Sequence, residues 1–143
     1  FKFTINTKFG EVITQLENYH KTNWLENKYK ELLLSLKDYK HSNIDFEIMS
    51  IELNDKNTNK LIAAEIGYKI GSTYTSLTGF SSKDKNYNNW GKLQLVLLCK
   101  YLEENSFTFW NLGHPYMQYK FDLGAKTYSR NEFLERWLKQ IQI

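Results

Sequence analysis

The chain has 143 residues, 41% of them hydrophobic and 16% aromatic, with a formal net charge of +3. That is enough apolar material for one domain with its own core, and it excludes an intrinsically disordered chain. The charge excludes a strongly basic nucleic-acid binder: residues 1–60 carry nine Lys against nine acids, and residues 61–143 carry ten Lys/Arg against seven acids, a mild basic bias.

In chain order, residues 1–5 alternate as a half-buried strand does. Val12, Ile13, Leu16 and Tyr19 recur at helical spacing. Asn23, with Glu26 three residues later, caps a second helix that runs to about Tyr39, its apolar stripe being Leu25, Tyr29, Leu32, Leu33 and Leu36. Residues 44–53 alternate again, Phe46 and Ile48 against Met49, Ile51 and Leu53. Residues 54–59 are a turn by composition, and residues 61–70 and 72–80 are two strands joined tightly at Gly71. A polar loop over 81–89 leads to a helix over 90–105. The apolar centre of that helix, Leu95 to Cys99, predicts that most of its girth is covered. A strand over 108–111, a helix over 116–123 and a strand over 126–128 follow. Ser129 with Glu132 then forms a capping box that opens a last helix ending near Lys139. This order predicts an α/β (α+β) domain: a mixed, mostly antiparallel central sheet with helices on both faces.

The single cysteine, Cys99, rules out an intrachain disulfide and a cysteine-based metal cage; within its apolar run it is expected to be a buried, inert thiol. No apolar run reaches the roughly 18 residues of a bilayer span, no secretory leader is visible, and no His/Cys/carboxylate cluster has metal-ligand spacing. The chain starts at Phe1 rather than Met, so residues 1–143 are expected to be a single domain forming the C-terminal part of a longer protein.

The stretch F-T-F-W-N-L-G-H-P-Y-M-Q-Y-K-F-D-L-G-A-K (107–126) carries the chemistry. A short apolar strand runs straight into Asn, Gly, His and Pro, which is how a buried strand presents backbone and side chains at a site. The upstream strands 65–80 would supply the facing wall. The order of elements, the opening F-K-F-T-I-N-T-K-F-G-E-V-I, the T-N-W-L and I-D-F-E-I segments, I-G-Y-K-I-G-S-T-Y-T-S-L-T-G-F, L-Q-L-V-L-L and L-G-A…R-N-E-F-L together resemble the leucyl/phenylalanyl-tRNA–protein transferases, within the GCN5-like acyltransferase superfamily. The likeness covers nearly the whole chain. It implies a GCN5-related acyltransferase-like fold and transfer of an amino acid from aminoacyl-tRNA to the N-terminal amine of a protein, which marks that protein for degradation. It implies no cofactor, since the tRNA ester is already activated, and it places the reaction in the cytoplasm, away from membranes. The resemblance also shows departures. Where the family has a catalytic Asp and, two residues on, a Gln, this chain has Asn111 and Gly113, and the family's Glu on the hairpin falls near Leu77.

Asn111 and His114 are the catalytic candidates. Asn111 can hold the amine or the ester through its amide but cannot act as a base, and a turn-forming Asn explains it equally. His114 can accept the amine proton, or can be a structural residue at a helix start. Glu65, inside an apolar strand, stands where the family has a hydrophobic donor-pocket residue. A buried carboxylate there calls for a cationic partner, which would turn the donor preference toward arginine. The alternatives are a solvent-facing Glu or one paired with Lys69 or Lys120. Tyr74 matches an aromatic of the family's donor pocket. Ser76, Thr78, Trp110 and Gly113 complete the substrate-binding candidates, with hairpin packing as the alternative for the hydroxyl residues. Trp90, Gly91 and Lys92, at the start of the central helix, are candidates for the 3′ end of the tRNA. Lys83, Lys85, Lys92, Lys120 and Lys126 would form a basic rim, or are solvated lysines. His20 and His41 are expected in solvent. The rival readings are a CoA-dependent N-acetyltransferase and a non-catalytic binding domain. The segment 88–91 lacks the Gly-rich signature of CoA enzymes.

Overall fold

The computed structural model of the protein describes residues 1–20 and 27–141. Five strands form one sheet in the order β1 (Lys2–Ile5), β2 (Phe46–Asn54), β3 (Leu61–Ile70), β4 (Thr73–Ser81) and β5 (Phe109–Asn111). The first four are antiparallel neighbours. β5 lies parallel to β4, because helix α3 (Trp90–Glu104) carries the chain back along the sheet before β5 begins. Helices α1 (Phe9–Tyr19), α2 (Asn27–Leu36), α4 (Gln118–Asp122) and α5 (Arg130–Gln140) complete the domain.

The alternation in β2 sorts the core into two layers. Ile48 joins Phe9, Val12, Ile13 and Leu16 of α1 and Leu33 of α2 on one face of the sheet. Met49 and Ile51 join Leu98 and Leu102 of α3 on the other. Helices therefore cover both faces, as the element order requires. At the hairpin between β3 and β4, Gly71 has φ +57° and packs against the end of α5, where a Cβ would come within 2.5 Å of the Gln140 carbonyl oxygen. A side chain fits neither that backbone conformation nor that space.

One polar residue of the sheet also organises α1. Glu52 of β2 is fully buried. Its carboxylate accepts from the Thr7 and Lys8 backbone N–H groups at 3.1 and 2.8 Å and from the hydroxyls of Thr4, Ser50 and Thr7 at 2.6, 2.6 and 3.2 Å. Lys8, the residue at the helix start, provides no side-chain cap, so an acid 44 residues away satisfies the free amides there.

Five expectations are corrected. Residues 126–128 form no strand; three residues offer little pairing, and Tyr128 instead packs under the Arg136 guanidinium, 4.6 Å from its ring centroid. The helix predicted over 116–123 is confined to Gln118–Asp122. α3 buries one stripe, Gln94, Leu98 and Leu102, rather than most of its girth; Val96 is 50% exposed and Cys99 is exposed rather than buried. The helix lies on the sheet with no described layer over its outer face. Leu32 of α2 likewise faces outward. The predicted cap at Asn23 and Glu26, and the stripe residue Leu25, lie outside the described residues.

Candidate active-site cleft

β5 pairs with β4 for only three residues, Thr73, Tyr74 and Thr75 facing Phe109, Trp110 and Asn111. Beyond them the two chains part. β4 also carries a bulge: Ile66 faces Thr78 while Gly67 faces Ser76, so Leu77 is the extra residue with no partner in the ladder. A cleft of about 690 Å³ opens here. Residues 76–81 of β4 form one wall, and the turn Leu112, Gly113 and His114 with Lys120 and Tyr119 forms the other. Gly91, Lys92, Gln94 and Leu95 of α3 close one end, and Tyr19 and His20 of α1 lie at the rim. A second cavity of about 580 Å³ adjoins it at the α3 N-terminus and shares Ser81, Gly91 and Lys92.

Glu65 is the one carboxylate among the described residues lining the cleft. It is 4% exposed. Its Oε2 accepts from the Tyr74 hydroxyl at 2.9 Å and its Oε1 from the Gln94 amide at 3.0 Å. Burial pushes its carboxyl above the usual range, against hydrogen bonds from Gln94, Ser76 and Tyr74 and the positive charge of Lys120. The Tyr74 hydroxyl is pushed well above its ordinary value by burial and by the neighbouring Glu65 charge. The structure thus corrects two alternatives for Glu65: it does not face solvent, and Lys69 is bound to Asp45 at 2.8 Å instead. Gly67 makes the arrangement possible, because the Tyr74 ring occupies the space a Cβ would take.

Glu65, Ser76, Thr78, Gly91, Lys92, Gly113 and His114 therefore meet at one cleft. Tyr74, Trp90, Trp110 and Asn111 do not line it. Trp110 donates its indole N–H to Ser76 Oγ at 3.0 Å and so ties β5 to the cleft wall. Asn111 Oδ1 accepts from the Gly113 N–H at 3.0 Å, a side-chain turn that shapes the loop. Trp90 packs edge-on against Tyr87 at 5.0 Å. The His114 ring lies beside Tyr116, 5.1 Å between centroids.

Two residues belong to the cleft in a way that composition did not show. Gln94 heads the buried stripe of α3, four residues before Leu98, and a polar residue at that place in an apolar helix is the available clue. His20, expected in solvent, lies at the cleft rim with Nε2 3.1 Å from the Gly79 carbonyl oxygen. Lys120 leaves the predicted basic rim: it is half-buried, and its Nζ donates to the carbonyls of Leu112 at 2.7 Å and His114 at 3.2 Å. Lys83 is drawn over the Tyr19 ring, 5.2 Å from its centroid.

Among the described residues no helix is long and apolar enough to cross a membrane, and no group of three or more His, Cys, Asp or Glu could hold a metal ion. No curated protein matches the chain. Solved structures with a similar fold include a ribosomal-protein-alanine N-acetyltransferase from Brucella melitensis biovar Abortus 2308, 14% identical over 90% of this chain and 96% of that one, with a TM-score of 0.64. A probable acetyltransferase is 8% identical over 90% of this chain and 92% of that one, with a TM-score of 0.68. An aminoglycoside acetyltransferase from an uncultured soil metagenomic sample, in complex with sisomicin, is 15% identical over 90% and 91%, with a TM-score of 0.59. At such identities the likeness is one of fold, that of the acetyltransferases. The sequence profile of the leucyl/phenylalanyl-tRNA protein transferases matches residues 1–138. A transferase profile across the domain, on an acyltransferase fold with a cleft at the parting of β4 and β5, leads to one conclusion: the chain belongs to the leucyl/phenylalanyl-tRNA protein transferase family.

Proposed function

We propose that this domain transfers an aminoacyl group from the 3′ end of a charged tRNA to the N-terminal amine of a protein, in the cytoplasm, as a step that marks the acceptor for degradation. The observation that carries this reading is the cleft itself. Its volume of about 690 Å³ between β4 and the 112–114 turn leaves room for an ester-linked residue, and it joins the cavity at the α3 N-terminus, where Gly91 and Lys92 line both. In the proposed mode the terminal nucleotide and its phosphate lie at that helix start, beside Gly91 and Lys92, and the ester lies between the walls. The acceptor amine enters from the side of His114, which takes its proton. Ser76 and Thr78 hydrogen-bond the ribose or the ester. Holding the two reactants in this geometry supplies most of the rate, since an aminoacyl ester is already activated.

The donor residue is leucine or phenylalanine, or arginine. Glu65 favours arginine: it is a buried acid at the cleft, held by neutral donors and with no ion pair among the described residues. The test is transfer of labelled Leu, Phe and Arg from their tRNAs to peptides with acidic or basic N-terminal residues, with acetyl-CoA as the competing donor. Label moving from tRNA alone is the expected result. Label moving from acetyl-CoA alone would replace the reading by a CoA-dependent acetyltransferase, and no transfer from either by a binding domain. If Glu65 selects the donor, Glu65→Met shifts preference from Arg-tRNA toward Leu-tRNA; an unchanged preference removes that assignment.

A further inference from the structure

Lys120 is an ammonium in the wrong place for a surface lysine. It sits on α4, half-buried at the cleft wall, and has no carboxylate within 4.0 Å among the described residues. Two of its three N–H groups are taken by neutral acceptors, the Leu112 and His114 carbonyls. Those bonds fix Nζ against the turn, 4.0 Å from the point where a Gly113 Cβ would stand. One donor remains. A partly desolvated cation with only carbonyl partners is unfavourable unless negative charge arrives beside it. Burial lowers its affinity for a proton, while the distant Glu65 charge opposes that shift without contact.

We propose that Lys120 is a catalytic residue of the transfer reaction, its third N–H bonding the ester carbonyl oxygen of the donor and stabilising the oxyanion that forms there. The inference rests on the transfer reading given above. The amine nitrogen attacks the ester carbon, a C–N bond forms, and the carbonyl electron pair moves to oxygen beside Lys120. Collapse of this intermediate re-forms the carbonyl, breaks the bond to the ribose oxygen and sends that electron pair to the ribose. The proton lost by the amine passes to His114 and on to the leaving ribose hydroxyl, so nothing else is consumed. The group is pre-positioned by backbone carbonyls, which is what makes such a donor effective.

Two 3′-adenosine analogues separate this role from a structural one: an amide-linked aminoacyl analogue that mimics the bound ester, and an anionic phosphonate-linked analogue that mimics the tetrahedral intermediate. Their dissociation constants, with kcat and KM for transfer, are compared in the wild type, Lys120→Met and Lys120→Gln. The glutamine keeps one donor for the loop. Expected is a loss of about a hundredfold in kcat and in phosphonate affinity, with KM and amide-analogue affinity within about threefold. Lys120→Arg, which keeps the charge, restores part of kcat. Equal weakening of both analogues would mean that Lys120 only holds the 112–114 turn, and would overturn the proposal. A raised KM with a flatter salt dependence and unchanged kcat would overturn it in favour of a tRNA phosphate contact. A wild type that binds neither analogue removes the transfer reading itself, a failure distinct from one confined to the variants.

Discussion

Replacing Gly67 by alanine tests the packing under the cleft. The added Cβ would stand 2.2 Å from the Tyr74 hydroxyl oxygen, 2.4 Å from Cζ and 2.5 Å from the Thr75 carbonyl oxygen. Real Cβ atoms do not approach so closely, and neither the backbone carbonyl nor a fully buried ring can step aside freely. Overpacking of this kind costs about 1–3 kcal/mol. The ring must also move its hydroxyl away from Glu65 Oε2, now 2.9 Å distant, which leaves a buried carboxylate short of a donor and costs about 1–3 kcal/mol more. The sum, roughly 2–6 kcal/mol, compares with about 5–15 kcal/mol for the whole stability of a domain. For a chain of this size each kcal/mol moves Tm by about 3–5 °C, so Gly67→Ala lowers Tm by at least about 6 °C. Thermal denaturation by circular dichroism measures this. Tyr74→Leu in the same background removes the clash with the ring, though not the one with the Thr75 carbonyl, so the double variant loses less than the sum of the singles. A Gly67→Ala protein melting within 2 °C of wild type would refute the argument that Tyr74 is locked in place over this glycine.

Three further outcomes are expected. Because the Glu65 carboxyl is raised in the folded state, its contribution to stability is fully present below its unfolded value and is lost as pH rises through the folded one. Glu65→Gln, followed by urea unfolding at a series of pH values, therefore gains on wild type as pH rises above about 4.5, by no more than about 1.4 kcal/mol per pH unit, whereas a difference independent of pH would show that the fold does not raise the Glu65 carboxyl. Glu52→Ala removes the acceptor of two backbone N–H groups and three hydroxyls and lowers stability by about 3–5 kcal/mol, measured by chemical denaturation; a loss under 1 kcal/mol would contradict the capping role. Ser129→Ala removes the side chain that accepts from the Glu132 N–H and costs about 1 kcal/mol, read as a Tm drop of a few degrees, with transfer activity unchanged.

What the sequence made legible was local. The alternation predicted over 44–53, which the strand follows from Phe46 on, the hairpin at Gly71 and the capping Ser129 each depend on neighbours within a few positions. Glu65 was conspicuous because a charge inside a strand of Ala and Ile contradicts its surroundings. The rest depended on distant partners. Nothing near Glu52 distinguishes it from a solvated acid on an alternating strand; only the approach of residues 4–8 makes it a buried cap. The apolar run around Cys99 suggested burial all round, yet a helix against one sheet buries only the stripe facing it, and Cys99 lies off that stripe. The bulge at Leu77 arises from a register change between two strands and leaves no mark in composition. Lys120 looked like any surface lysine because its acceptors are main-chain carbonyls, which every residue has.

The distant carboxylate at the start of α1 also bears on how the chain folds. An eleven-residue helix without a cap of its own is marginal in water. The Thr7 and Lys8 amides that lead into it meet their acceptor only once β1 has paired with β2 and brought Glu52 within reach, across a sequence separation of 44 residues for Lys8. A fragment ending before residue 46 is therefore expected to leave helix α1 frayed, since the carboxylate at its start is supplied across a long loop.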